Sequence, residues 1–117
     1  MRFITKRIHA FLDYPVAIAL IVLPFLLGLG SSNPLAMELS VVTGIAAFIL
    51  TLLTDHHLGA FRVISYQIHL IVDFLVAIVF LMAPFIFSFE GIDAYYYWVN
   101  GIAVLSVVSM HKPELAV

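Results

Sequence analysis

Residues 8–30 read IHAFLDYPVAIALIVLPFLLGLG, and residues 68–90 read IHLIVDFLVAIVFLMAPFIFSFE. Aligned without a gap at an offset of 60 residues, these two stretches share eight identical positions. The shared residues are Ile8 and Ile68, His9 and His69, Asp13 and Asp73, Val16 and Val76, Ala17 and Ala77, Ile18 and Ile78, Pro24 and Pro84, and Phe25 and Phe85. The repeated His, Asp and Pro matter most, because each is costly inside an apolar helix.

Composition places the chain in the membrane class. Of its 117 residues, 64% are hydrophobic and 10% are charged, whereas soluble domains are about 45–50% apolar and about 25% charged. The mean hydropathy is +1.17. We therefore expect one integral membrane domain over residues 1–117, with the lipid bilayer as its first partner. The absence of cysteine excludes disulfides and thiolate metal sites, and a net charge of −2 gives no reason to expect nucleic acid.

Four apolar segments follow one another, each close to the length of a bilayer-spanning helix. They are predicted over residues 4–29, 34–54, 65–89 and 94–110. Helices rather than strands are expected, because lipid cannot satisfy backbone polar groups. Asn33 and Pro34 suit the N-cap and first position of the second helix, and Asp93 suits the N-cap of the fourth.

The second helices of the two halves also correspond. Val42-Thr43-Gly44-Ile45-Ala46 aligns with Val99-Asn100-Gly101-Ile102-Ala103 at an offset of 57 residues. We expect Gly44 and Gly101 to let neighbouring helices approach closely. The predicted fold is all-α, a transmembrane four-helix bundle made of two parallel tandem helical-hairpin repeats. Repeat 1 covers about residues 4–57 and repeat 2 about residues 64–112.

Charge predicts the orientation. All five basic residues fall on one side of the predicted topology, namely Arg2, Lys6, Arg7, Arg62 and Lys112. By the positive-inside rule both termini are cytoplasmic, and the aromatic run 95–98 lies at the outer interface. Because the first unit recurs in mid-chain, we expect it to be a retained helix rather than a signal peptide.

His9 and Asp13, like His69 and Asp73, are four residues apart and share one face of a helix. Both pairs lie near the cytoplasmic ends of their helices and are the candidate polar site. The secondary candidates on the same side are Asp55, His56, His57 and His111. We expect the two pairs to face each other across the axis that relates the repeats. Pro24 and Pro84 are expected to kink the first and third helices.

Three interpretations of the His-x-x-x-Asp pairs stay open. In the first, each histidine bonds its own aspartate and anchors a helix end at the interface. In the second, two His and two Asp bind a divalent metal, or His9 and His69 ligate a haem. In the third, these groups form a path for protons or small solutes. No cofactor is the first expectation, with haem or a divalent metal as the alternative.

The pattern His-x-x-x-Asp-(Tyr/Phe), an apolar run and Pro-aromatic, repeated after Leu-Thr-Asp-x-x-Leu-Gly, resembles the SPW-repeat family of small bacterial membrane proteins. The resemblance covers about residues 8–112. The motif positions read Leu23-Pro24-Phe25 and Ala83-Pro84-Phe85, so the proline is kept while Ser and Trp are replaced. The resemblance implies a bacterial inner-membrane protein of two helical hairpins without a catalytic residue.

The expected function is that of a small integral membrane protein, a non-enzymatic accessory or structural component. The sequence has no catalytic-triad order, phosphate loop or nucleotide fingerprint. The alternative is a metal-, haem- or proton-handling module that uses the paired His-x-x-x-Asp motifs. The small size favours a homo-oligomer or a subunit of a larger membrane complex.

Overall fold

The computed structural model describes residues 6–54 and 64–109, with side chains from residue 11 onward except that of Tyr66. The described ranges contain four α-helices and no β-strand. The helices are α1 (Lys6–Leu27), α2 (Leu35–Leu53), α3 (Tyr66–Ile86) and α4 (Ile92–Ser109). α1 packs along α2, and α3 packs along α4, so the chain forms two helical hairpins. The prediction of an all-α fold with four helices is confirmed.

Glycine allows the close packing within each hairpin. A Cβ atom added to Gly44 of α2 would lie 2.8 Å from the carbonyl oxygen of Ala17 in α1. A Cβ atom added to Gly101 of α4 would lie 3.2 Å from the carbonyl oxygen of Ala77 in α3. Only a residue without a side chain permits such an approach. Both glycines therefore let the helices approach closely, as predicted. The residues that they face, Ala17 and Ala77, occupy corresponding positions in residues 8–30 and 68–90.

The ends of α1 and α3 are closed by similar turns. The Leu29 amide donates to the Pro24 carbonyl at 2.9 Å, and the Phe89 amide donates to the Pro84 carbonyl at 3.0 Å. Gly28 (φ 66°) and Ser88 (φ 55°) both adopt the left-handed conformation that ends a helix. α3 therefore ends at Ile86, three residues before its predicted end. Both prolines are buried inside their helices, and the predicted kinks stay a prediction.

The starts of α2 and α4 differ from the prediction. Pro34 occupies the N-cap of α2, and the Asn33 side-chain oxygen accepts from the Leu35 amide at 3.0 Å. Asp93 lies within the first turn of α4 and is not its N-cap, because the helix already begins at Ile92. Its carboxylate binds the loop of the other hairpin instead. The prediction that Asp93 caps α4 was therefore wrong.

Many large apolar side chains cover the exterior, and several polar side chains are buried beside an apolar core. The buried polar residues are Ser40, Thr51, Thr54, His69 and Asp93. Long apolar side chains cover the exterior of the helices, with Phe85 77% and Leu26 74% exposed. Two helical segments, Leu35–Leu53 and Gln67–Ile86, have the length and apolar composition needed to cross a membrane. An exposed apolar surface of this extent is unusual in a soluble domain.

Candidate functional site

His69 is held at the start of α3, where that helix meets the end of α2. The Ser65 hydroxyl caps α3 by accepting from the Ile68 amide at 3.3 Å. The imidazole of His69 is 1% exposed, and its Nδ1 lies 2.7 Å from the Thr54 hydroxyl. Thr54 donates its one hydroxyl proton to the Leu50 carbonyl at 2.6 Å. The Nδ1 of His69 therefore carries a proton and donates to Thr54.

The other nitrogen of His69 meets carboxylates from both hairpins. Its Nε2 lies 3.1 Å from Oδ2 of Asp13 in α1 and 3.3 Å from Oδ2 of Asp73 in α3. Asp73 is the expected partner one helical turn away, and Asp13 is its counterpart in the first repeated stretch. We call Asp13, His69 and Asp73 the inner triad. It joins the two hairpins at the end of the bundle where α1 and α3 begin.

The surroundings of Nε2 limit its chemistry. Two carboxylate oxygens within hydrogen-bond distance repel a nitrogen lone pair, so Nε2 must present either a proton or a bound cation to them. With a proton on each nitrogen, the ring is an imidazolium placed between two carboxylates. The Asp13 and Asp73 side chains are 12% and 19% exposed, so the triad is largely shielded from solvent. The triad thus surrounds one ring nitrogen with two carboxylates in a largely enclosed setting.

A cavity of about 510 Å³ adjoins the inner triad. All four helices line this cavity, and the triad residues are part of its wall. The rest of the wall is mainly apolar, with Leu12, Val16, Leu20, Val42, Ala46, Ala47, Leu50, Val72, Val76, Ala103, Val104 and Val107. Thr43, Thr51 and Asn100 add polar groups. An apolar cavity of this size with a few polar groups is a typical small-molecule or ion site.

The structure brings together three of the four primary candidates from the sequence. His9 lies in α1, but its side chain is outside the described part of the chain. The secondary candidates Asp55, His56, His57 and His111 also lie outside the described residues. Sequence analysis missed the contact of Thr54 with His69. The sequence offers only a weak signal for it, a threonine at the end of an apolar segment.

A second polar cluster joins the hairpins at the opposite end of the bundle, which we label the outer end after the orientation predicted from the sequence. The Asp93 carboxylate accepts from the Gly30 amide at 2.9 Å, from the Ser32 amide at 3.0 Å and from the Ser32 hydroxyl. These three donors satisfy the carboxylate, which is fully buried. The Asn33 amide also crosses between hairpins by donating to the Phe87 carbonyl at 3.1 Å. We call Asp93 and Ser32 with these partners the outer clamp.

Two tyrosines of α4 extend the contact between hairpins below the outer clamp. The Tyr97 hydroxyl donates to the Ala36 carbonyl at 2.8 Å. The Ser40 hydroxyl donates to the Leu20 carbonyl at 2.8 Å, so the Tyr96 hydroxyl, 2.7 Å away, donates to Ser40. Both tyrosines are buried. The outer half is therefore held by fixed hydrogen bonds among neutral groups, together with one carboxylate.

Comparison with family models, curated proteins and solved structures finds no match to this chain. The resemblance to the SPW-repeat family therefore stays a prediction.

Proposed function

We propose that this chain is a small integral membrane protein that crosses the bilayer four times, with both termini in the cytoplasm, and acts without catalysis as an accessory or structural component. The distribution of side chains is the observation that carries the proposal. Large apolar residues face outward, while Ser40, Thr51, Thr54, His69 and Asp93 are buried. Lipid tails solvate apolar side chains, whereas they exclude polar side chains that are not hydrogen-bonded.

Helix lengths support this placement. The four helices have 22, 19, 21 and 18 residues. At about 1.5 Å per residue they match a hydrocarbon core of about 30 Å. The matched glycine contacts of the two hairpins support two parallel repeats, and two hairpins return both termini to one side. A bacterial inner membrane and assembly with further copies or a larger complex stay predictions.

Single cysteines test the topology, since the chain has none of its own. Ser31 and Glu90 are exposed residues between the helices of each hairpin, and Gly59 lies between the hairpins. In intact cells, we expect a membrane-impermeant maleimide to label Ser31→Cys and Glu90→Cys, but Gly59→Cys only after lysis. Labelling of all three in denaturant is the control for reactivity. Labelling of Gly59→Cys alone in intact cells would reject the orientation.

The inner triad favours a second candidate, a metal-, haem- or proton-handling module. An interfacial anchor requires each His-Asp pair to stand separately at the lipid headgroups. His69 is instead buried and lies against a carboxylate of the other hairpin. His69 supplies one imidazole to this site, and the side chain of His9, the other predicted haem ligand, lies outside the described residues. A proton or metal ion fits the triad better.

A double-mutant cycle separates the interior site from the anchor. Unfolding free energies are measured for the unmodified protein, for His69→Ala, for Asp13→Ala and for the double variant. Residues in contact couple by about 0.5–3 kcal/mol, so we expect a coupling free energy in this range. The same cycle with Glu38→Ala, an exposed residue of α2, is the control. A His69–Asp13 coupling no larger than this control would support separate anchors.

A further inference from the structure

We propose that the inner triad is a binding site for one divalent transition-metal ion, with His69 Nε2 and one carboxylate oxygen each from Asp13 and Asp73 as ligands. This inference rests on the second candidate function above and names its ion. The three donor atoms lie within 4.8 Å of one another. They come from two different hairpins, so an ion bound here also ties the hairpins together.

The distances suit a shared ion. Ligand atoms that each lie about 2.0–2.2 Å from one metal ion are separated from each other by about 3–4 Å in tetrahedral or octahedral geometry. The distances from Nε2 are 3.1 Å to Asp13 and 3.3 Å to Asp73. An ion can therefore take the place of the proton on Nε2 with small side-chain movements. α1 and α3, which hold these residues, do not have to move apart to admit the ion.

The Nδ1 atom of the imidazole is held by a hydrogen bond, as the second ring nitrogen of a metal-binding histidine is. Such histidines donate their other N–H to an oxygen, which fixes the tautomer and the ring orientation. Here Nδ1 donates to Thr54, and Thr54 is fixed in turn by its bond to the Leu50 carbonyl. This bond directs the Nε2 position toward both carboxylates. It is independent of the contacts within the triad.

The ligand set defines the class of ion. One imidazole and two carboxylates suit the borderline ions from Mn²⁺ to Zn²⁺ better than Ca²⁺, which prefers oxygen ligands alone, or Cu⁺, which prefers sulfur. The three ligands among the described residues leave at least one coordination position for a further ligand. The adjoining cavity of about 510 Å³ provides the space for that ligand.

Cobalt provides the direct test, because the visible absorption of Co²⁺ shifts and intensifies when protein ligands replace its coordinated water. The full chain is purified in detergent with a tag that contains no histidine and is titrated with Co²⁺. We expect one Co²⁺ per chain, displacement by Zn²⁺, and affinity at least about 100-fold weaker in Asp13→Asn, Asp73→Asn and His69→Ala. Thr54→Val should weaken binding by about 10-fold or more, the effect typical of an outer-shell partner. The Glu38→Gln variant, at an exposed carboxylate of α2, controls for adventitious binding and should bind as the unmodified protein does.

Two outcomes would overturn the inference. One is that the visible spectrum of Co²⁺ does not change when folded protein is present. The other is that the unmodified protein and the near-isosteric Asp13→Asn and Asp73→Asn variants bind Co²⁺ with equal affinity. Thermal unfolding of each variant shows that it is folded, and Thr54→Val tests the site if His69→Ala does not fold. The cysteine labelling and the double-mutant cycle need no metal. Their failure would reject the proposed function, whereas failure of the titration alone would reject only the ion.

Discussion

The outer clamp and the inner triad both join the two hairpins through aspartate, but they differ in what surrounds the carboxylate. At the outer clamp, Asp93 accepts from backbone amides and a hydroxyl group, all fixed by short loops. At the inner triad, Asp13 and Asp73 share one imidazole nitrogen that can hold a proton or a metal ion. Backbone donors cannot be exchanged, so the outer site is structural. The proton on the imidazole can be exchanged, which is why the proposed ion site lies at the inner triad.

The two ends of the bundle also differ in how closely the hairpins pack against each other. Phe80, Phe89, Tyr96 and Tyr97 fill the space between the hairpins at the outer end. Toward the inner end, the cavity separates them. Interiors are normally packed without voids larger than a water molecule. The inner half therefore has room beside the triad for the ligand that we propose, whereas the described residues of the outer half leave none.

Removing the Asp93 carboxylate of the outer clamp should have the largest effect on the free energy of unfolding. Asp93 is fully buried, and Asp93→Ala leaves three donors of Gly30 and Ser32 without their acceptor. We expect a loss of about 3 kcal/mol, because a hydrogen bond to a charged group contributes about 1.5–3 kcal/mol and water replaces only part of the three lost bonds at the half-buried Gly30 and the exposed Ser32. Reversible unfolding in mixed micelles measures it, with the exposed Glu90→Ala as control. A loss below about 1 kcal/mol would show that the loops find other partners.

Enlarging alanines at the two ends tests the difference in packing. Ala94 is 4% exposed within the outer core, whereas Ala47 lines the inner cavity. We expect Ala94→Leu to cost about 2 kcal/mol through overpacking, and Ala47→Leu to cost less than about 1 kcal/mol because the cavity accepts the added atoms. Thermal unfolding compares the two. Equal losses would contradict a cavity confined to the inner half.

Removing one hydroxyl of the outer half should have a smaller effect. Tyr96→Phe deletes the donor to Ser40, while Ser40 keeps its bond to the Leu20 carbonyl. Because no group is left without a partner, we expect a loss of about 0.6 kcal/mol, the average for side-chain hydrogen bonds between membrane helices. Tyr95→Phe is the matched control, since Tyr95 is 66% exposed. If both variants lose the same stability, the Tyr96–Ser40 bond contributes nothing.

The smallest expected effect is a gain at the end of α3. Ser88 adopts φ 55°, where the corresponding residue of the first hairpin is Gly28 with φ 66°. Ser88→Gly should stabilise the protein by about 0.5 kcal/mol, because relief of the left-handed strain exceeds the entropy cost of glycine. Ser31→Gly, at a position without positive φ, should give no gain. If Ser88→Gly destabilises the protein, the left-handed conformation of Ser88 is not the cost that we infer.

Sequence patterns predicted much of the fold because they depend on local chemistry. Long apolar segments and turn residues located all four helices, with ends within three residues of those observed wherever both are described. Small residues predicted the close contacts at Gly44 and Gly101. Spacing along one helix also predicted that Asp73 can meet His69. Each of these predictions concerns one helix or one hairpin.

The sequence by itself determined the four helices, the two corresponding hairpins and the presence of polar residues that an apolar environment must satisfy. Only the tertiary structure decided which partners satisfy them. It placed Asp13 of the first hairpin against His69 of the second, and it turned Asp93 from a cap of its own helix into the acceptor of another loop. The physical reason is that helical periodicity defines the residues of one face but not the rotation of that face relative to another hairpin. Packing of the whole bundle sets that rotation, and with it the cavity beside the triad.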